Sequence, residues 1–399
     1  MQLYVDDPCV AIRGTPAQRR RIRCIVVVTW AIFGLPLAFH KARCGSAVVW
    51  IGCQLRARPD DVVASIAEEK LNELRGATQE YLSMNVIPVS GLRSYVGLAN
   101  HFATLLPAWR PFLSELWAAV HSTGHDGAAA GAPKNCVWQR QVLPALQWIF
   151  AFLCGRRGTL EVRFRRDAFW NRGKSIRIVG DASPWGLGAY LLLDGVAVEF
   201  YACPLNPWLT DFMEAPEGSP KGQQVWESLN LVVALRAWQR FWKADRVTLE
   251  VRGDSVAALT LLAAVRGKGR ALTAVAREYA LDLGDAAYFP DVCAHTPGVA
   301  STIADALSRR FAPAAAWSVP AALEGAREIV PPTLDHTFFS ATVLPAFGKG
   351  TGMGKDLHWA SAAAGASRPS HLGGPAAASA PPGADPHSDA GQQADDQLQ

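Results

Sequence analysis

The chain has 399 residues, half of them hydrophobic and 19% charged, with a formal net charge of +4. Those values exclude a wholly disordered chain and a highly charged coiled coil, and they leave any basic footprint for nucleic acid to local clusters. The length sets a prior of two or three domains, and eight cysteines without a CxxC pair argue against a zinc ribbon and for a reduced intracellular protein.

In chain order, residues 1 to about 120 alternate apolar runs with helical patterns. Within them, Cys24–Phe39 (CIVVVTWAIFGLPLAF) is a 16-residue apolar run behind Arg19, Arg20, Arg21 and Arg23. A bilayer span needs about 20 residues, and Gly34 and Pro36 interrupt this one, so a buried helix of a soluble domain is expected instead of a membrane span. Residues 121–135 are Gly/Ala-rich without periodicity and are expected to be a linker. From about 345 onward Ala, Gly, Ser and Pro dominate, and this tail is expected to be disordered.

The region from about 136 to 312 is dense in structural signals. SIRIVGD (175–181) alternates as a half-buried strand does, and LGAYLLL (187–193) and VAVEFYA (196–202) flank an Asp194-Gly195 hairpin turn. Residues 203–221 are rich in Pro and polar residues and are expected to form an inserted loop. A helix is predicted from about Gly222 to Trp242, then a strand over 247–254, a helix from Ser255, a second helix over 272–283, an extended stretch near Val292 and a last helix near Thr302. An early hairpin followed by alternation implies a mixed α/β sheet with helices on its faces.

Four acids occupy telling positions in this layout. Asp181 and Asp254 end strands, at the sheet edge where α/β folds bind ligands. Glu227 shares a helical stripe with Leu231, Ala234 and Trp238, so it faces the sheet, where a carboxylate is costly unless paired or metal-bound. Asp305 opens the last helix, ten residues after His295. Taken singly, such acids are often turn residues or N-caps. Together they are what a hard divalent cation with oxygen ligands requires, and two such ions can activate water for phosphodiester hydrolysis.

The stretches DASPWGLGAYL (181–191), QQVWESLNLVVAL (223–235), VRGDSVAAL (251–259) and HTPGVASTIADALSRR (295–310) resemble the ribonuclease H domain of retroelement reverse transcriptases, the last most specifically. The resemblance implies a ribonuclease H-like mixed sheet over 175–312 that cuts the RNA strand of RNA–DNA hybrids. The family's four acids fall on Asp181, Glu227, Asp254 and Asp305, which would hold two Mg²⁺ ions, with Mn²⁺ as a substitute. Its mobile-loop histidine falls on His295, which would serve proton transfer or product release. The 203–221 insertion is a departure from the family pattern.

The chain opens MQLYVDDPCV, and Tyr4-Val5-Asp6-Asp7 resembles the YxDD turn of reverse transcriptases, where adjacent acids hold metal. GLPLAFHKARCG followed by VVWIG resembles the palm segment after that turn, with Lys41 near the incoming nucleotide; a surface lysine is the alternative. GLRSYVGLANHFATLLPAWRPFLSELW (91–117) resembles the helical thumb-to-connection segment. On this reading, 1–60 is a partial palm, 61–120 the thumb and connection helices, 136–174 a basic connection and 313–344 an extension. Fingers and the earlier palm acid precede YxDD in the family, so no DNA synthesis by this chain alone is expected.

Between Arg156 and Arg177 eight basic residues outnumber two acids, for a local charge of +6. Arg163, Arg165, Arg166, Arg172 and Lys174 are candidates for phosphate contacts there, with Phe169 and Trp170 as stacking partners. A solvated face is the alternative. Lys268 and Arg270 in GKGR (267–270) could grip a further phosphate. The expected partner is an RNA–DNA hybrid, read by groove shape with little sequence preference, and no membrane partner is expected. Two other readings stand beside hydrolysis: a non-catalytic nucleic-acid-binding remnant, and a fragment active only with an upstream polymerase segment of the same element.

Overall fold

The computed structural model describes residues 2–4, 7–34, 38–122, 131–165, 173–243, 247–286, 289–298 and 301–340. Most of the expected linker and the tail from 345 lie outside them. The chain begins with two short paired strands, β1 (Gln2–Tyr4) and β2 (Asp7–Cys9), whose register sets Tyr4 opposite Asp7.

Helix α1 (Pro16–Ile32) opens on a capping box: Thr15 Oγ1 accepts from the Gln18 amide, and Gln18 Oε1 accepts from the Thr15 amide. The expectation of a buried helix over 24–39 is corrected here. The helix starts eight residues earlier, and it has no buried residue; Ile25, Val28 and Ile32 are exposed. A short apolar run carries the same pattern whether or not a second surface covers it, and no described surface covers this one. Among the described residues no helix is long and apolar enough to cross a membrane.

Strands β3 (Ala47–Trp50), β4 (Cys53–Ala57) and β5 (Asp61–Ile66) form an antiparallel meander. Helix α2 (Glu68–Ser83), strand β6 (Val86–Pro88) and helices α3 (Val89–Phe102) and α4 (Arg110–Ser122) follow. Strand β7 (Cys136–Trp138) pairs with β6, helix α5 (Gln139–Leu153) packs against α2 and α4, and β8 (Glu161–Arg165) returns to the edge of β5. The sheet order is therefore β3-β4-β5-β8, with about a hundred residues between its last two strands.

The second sheet starts with β9 (Lys174–Ser183), β10 (Gly186–Leu193) and β11 (Val196–Pro204), three consecutive antiparallel strands. Asp194 and Gly195 have φ of 50° and 88°, the two left-handed residues that a tight hairpin matching strand twist requires. Asp194 Oδ1 also accepts from the Ser175 amide at 2.8 Å.

The expected 203–221 loop is corrected in part. It contains helix α6 (Pro207–Met213), with Asn206 Oδ1 accepting from the Leu209 amide at 2.8 Å and Pro207 in the first helical turn. Helix α7 (Gln223–Trp238), strand β12 (Val247–Gly253), helices α8 (Val256–Ala264) and α9 (Arg270–Ala286), strand β13 (Val292–His295) and helix α10 (Thr302–Ser308) complete the expected order. A short strand β14 (Arg327–Glu328) then adds in parallel to β11.

The sheet order is β13-β12-β9-β10-β11-β14, with β12 parallel to β9 and β13 parallel to β12. An antiparallel meander extended on one side by parallel strands, with helices on the faces, is the ribonuclease H-like topology expected from the sequence. One continuous core joins Trp109, Phe112 and Phe152 of the amino-terminal half to Ile178, Trp226 and Tyr279 of the second sheet and its helices. The 313–340 segment closes the far edge, where Phe339 meets Trp208 and Phe212 of α6 at 5.9 and 4.9 Å between ring centres.

Candidate active site

Asp181 lies near the end of β9 and is 6% exposed. Asp254 follows directly on β12, the parallel neighbour of β9, so both carboxylates emerge at one sheet edge. Glu227 is in the second turn of α7, which packs on β9, and Asp305 is on α10, which packs on β9 and β10. His295 ends β13, with Nε2 3.0 Å from the Asp254 carbonyl oxygen.

The four acids share one electrostatic environment. Burial pushes the Asp181 carboxyl up to about 7, and the nearby Asp254 and Asp305 carboxylates add to the effect. Ser308 Oγ donates to Asp181 Oδ2 at 3.2 Å and opposes it. Burial also raises Glu227, with Asp254 adding, while hydrogen bonds from Ser255 and Gln223 partly compensate.

Their oxygens do not close around a common point. Among the described residues, no three His, Cys, Asp or Glu side chains stand close enough to hold one metal ion. Two of the acids are engaged by neighbours on their own helices. Arg309 Nε donates to Asp305 Oδ1 at 2.5 Å, and Gln223 Nε2 donates to Glu227 Oε1 at 3.1 Å while also bonding the Ala182 carbonyl. The oxygen donor set fits a hard divalent cation, and the mutual repulsion around Asp181 is what such a cation would relieve.

Sequence reasoning missed the residues that set these positions. Asn230 Nδ2 donates to the Asp181 and Gly188 carbonyls, both at 2.8 Å, and its Oδ1 accepts from Tyr201, so α7 is pinned to β9 and β10 beside the site. Gly188 admits α10: a Cβ there would lie 2.5 Å from Leu307 Cβ and from the Ser308 amide nitrogen. A glycine inside a strand was the available signal. Gly188→Ala is expected to push α10 off the sheet and cost about 1–3 kcal/mol. Gly97→Ala, in a helix with open space around it, is expected to gain stability, and urea denaturation of both variants checks the contrast.

Among the described residues, none of the basic candidates is paired with an acid of this site. Lys174 is exposed at the start of β9, about 23 Å along the strand from Asp181 at ~3.3 Å per residue. Arg163 is exposed on β8 in the other sheet. The side chain of Arg165, together with Arg166, Phe169, Trp170 and Arg172, lies outside the described residues. Lys268 is exposed, and Arg270 pairs with Glu214 just after α6. Lys41 is exposed at the end of a single 3₁₀ turn. Asp6 lies outside the described residues, as does the side chain of Asp7.

No family model and no curated protein matches the chain. Among solved structures it is similar to a foamy viral protease–reverse transcriptase in complex with double-stranded DNA (15% identity, TM-score 0.30, covering 71% of this chain and 44% of that one). A second such complex with double-stranded DNA gives 14%, 0.26, 69% and 51%, and one with an RNA/DNA hybrid gives 13%, 0.28, 71% and 34%. The chain thus spans between a third and a half of the length of the structures it matches.

Proposed function

We propose that this chain is a nucleic-acid-binding segment of a retroelement-type reverse transcriptase, with a ribonuclease H-like domain whose carboxylates the chain alone does not draw into a metal centre. The observation that carries this reading is the site itself. The sheet edge and all four acids of the ribonuclease H pattern are present, yet two of the acids are held by Arg309 and Gln223. The partner on this reading is an RNA–DNA hybrid, engaged through its backbone and groove shape.

The test is fluorescence anisotropy with a labelled hybrid over a salt series, with cleavage followed in parallel. Binding should weaken steeply with salt and vary little with sequence, and no strand should be cut. Absence of hybrid binding at low salt by folded protein would overturn the reading.

A second reading, Mg²⁺-dependent hydrolysis of the RNA strand, is favoured by one observation: Asp254 and Asp305 lie near enough to Asp181 that their charges add to the burial that raises its carboxyl. Asp181, Glu227, Asp254 and Asp305 would hold the ions, which supply water activation and charge neutralisation when bound. His295, exposed beside Asp254, would handle a proton at its imidazole. Hybrid-only cleavage that vanishes in Asp254→Asn would establish this reading. Cleavage regained only on adding an upstream polymerase segment would assign the activity to a longer protein.

A further inference from the structure

Residues 8–59 hold nine of the chain's 39 Lys and Arg and none of its 35 Asp and Glu. The rest of the chain carries 30 cations against 35 acids, so its positive balance arises from this stretch alone. All nine cations are exposed, and among the described residues the first cation in the chain that pairs with an acid is Lys70, with Glu73. In the 156–177 run, by contrast, Arg157 pairs with Asp285 and Arg177 with Glu250.

Four of the nine, Arg19, Arg20, Arg21 and Arg23, crowd the first two turns of α1, whose first turn has no acid. Arg19 and Arg23 stand four residues apart, a spacing at which like charges destabilise a helix. Arg23 Nη1 donates to Cys44 Sγ at 3.1 Å, which joins α1 to the connection that carries Lys41 and Arg43. The other bonds made by these guanidiniums also go to neutral acceptors: Arg43 to the Ala42 carbonyl and Arg56 to Gln54 Oε1. The repulsion therefore stands without a paired acid, and a polyanion is what relieves it.

We propose that the basic half of α1, with the Lys41–Arg43 connection, is the surface that holds the phosphate backbone of the nucleic acid. The inference rests on the nucleic-acid-binding reading above, and it adds a contact surface distinct from the 156–177 run. An anionic lipid surface fits less well. A helix lying in a bilayer plane carries its cations on one face and its apolar residues on the other. Here the two follow each other along the axis, with Ile25, Val28 and Ile32 exposed after the arginines. At about 100° per residue, Arg19, Arg20 and Arg21 span about 200° of the circumference.

The test is anisotropy of a labelled RNA–DNA hybrid over a salt series, with the full chain. The variant Arg19→Gln/Arg20→Gln/Arg21→Gln/Arg23→Gln is expected to flatten the slope of log K against log salt by about 2 to 3. Its Kd should rise about 100-fold at about 0.1 M salt, the loss of two or three phosphate contacts. No residue of α1 is buried, so the urea midpoint should stay at the wild-type value. The same four positions changed to Lys should keep the wild-type slope. Arg93→Gln/Lys134→Gln/Arg140→Gln/Arg266→Gln removes four exposed charges elsewhere and should raise Kd less than about 10-fold, because salt screens distant charge. If wild type binds and the α1 Gln variant keeps its slope, or the control variant loses as much, this surface is overturned alone. Sedimentation with phosphatidylserine vesicles that depends on the α1 arginines, with hybrid affinity unchanged, overturns it in favour of lipid. Wild type that binds no hybrid overturns the nucleic-acid reading and this surface with it.

Discussion

Arg236→Met is expected to destabilise the chain by about 3–5 kcal/mol, the usual consequence of removing one partner from a buried ionic cluster. Arg236 projects from α7 and is 17% exposed. Its Nε donates to both Asp282 oxygens at 2.9 Å, and its Nη2 donates to Glu278 Oε2 at 3.2 Å, on a side chain that is fully buried. Its Nη1 donates to the Phe338 carbonyl at 3.0 Å, and the guanidinium lies 3.9 Å from the Phe338 ring centre. One side chain thus joins α7, α9 and the segment that closes the sheet edge.

The loss should depend on pH. Burial pushes the Asp282 carboxyl up to about 6 even though Arg236 pulls it down. Without Arg236 it would rise further, so the carboxyl can neutralise itself in acid but not at pH 8. The penalty should be largest at pH 8 and smaller at pH 5, as measured by urea denaturation at both. Arg236→Lys keeps the charge but loses the planar fork, so it should fall between wild type and Met. Faster proteolysis near residues 333–340 in Arg236→Met would trace the loss to undocking of that segment.

Asp181→Asn is expected to stabilise the protein at pH 8. The Asp181 carboxyl stands at about 7 in the folded chain against an ordinary 3.8. A folded-state value above the unfolded one means that protonation favours the fold. That contribution is complete below about pH 4 and is lost as pH rises through about 7. The full span corresponds to about 4 kcal/mol, and the hydrogen bond from Ser308 that an Asn oxygen can still accept, with incomplete burial of the carboxyl, sets the expected gain of the Asn variant at about 2 kcal/mol at pH 8. Near pH 4 the gain should vanish. Thermal unfolding from pH 4 to 9 checks this, and a pH-independent difference would sink the account. Mg²⁺ added at pH 8 should raise the melting temperature of wild type and leave Asp181→Asn little changed, if the carboxylates hold an ion.

Much of the second sheet was legible in the residues because its signals are local. Alternation over 175–181 marks β9, Asp194-Gly195 marks the hairpin, and Ser255, which accepts from the Ala258 amide at 3.2 Å, marks the start of α8. The acids at strand ends and on the apolar stripe of α7 could be nominated for the same reason: helix and strand periods place a residue on a face without reference to the rest of the fold.

Other features depended on distant partners. α1 has the apolar run of a buried helix and, among the described residues, no covering surface, and a periodic pattern cannot distinguish those cases. β8 pairs with β5 across about a hundred residues, and β14 joins an edge prepared by β11. In α6 the cap is local, Asn206 with Pro207 in the first turn, but it stands inside the Pro-rich and polar stretch 203–221 whose composition is that of a loop.

The sequence by itself determined most elements of the second sheet, its topology class and the nomination of four acids, because period, turn chemistry and motif spacing are written in neighbouring residues. Tertiary structure alone decided how close those acids, carried on β9, α7, β12 and α10, come to one another, and that Asn230 of α7 bonds the Asp181 and Gly188 carbonyls. Those distances follow from the parallel register of β9 and β12 and from the approach that Gly188 allows to α10, both products of contacts between residues far apart in the chain.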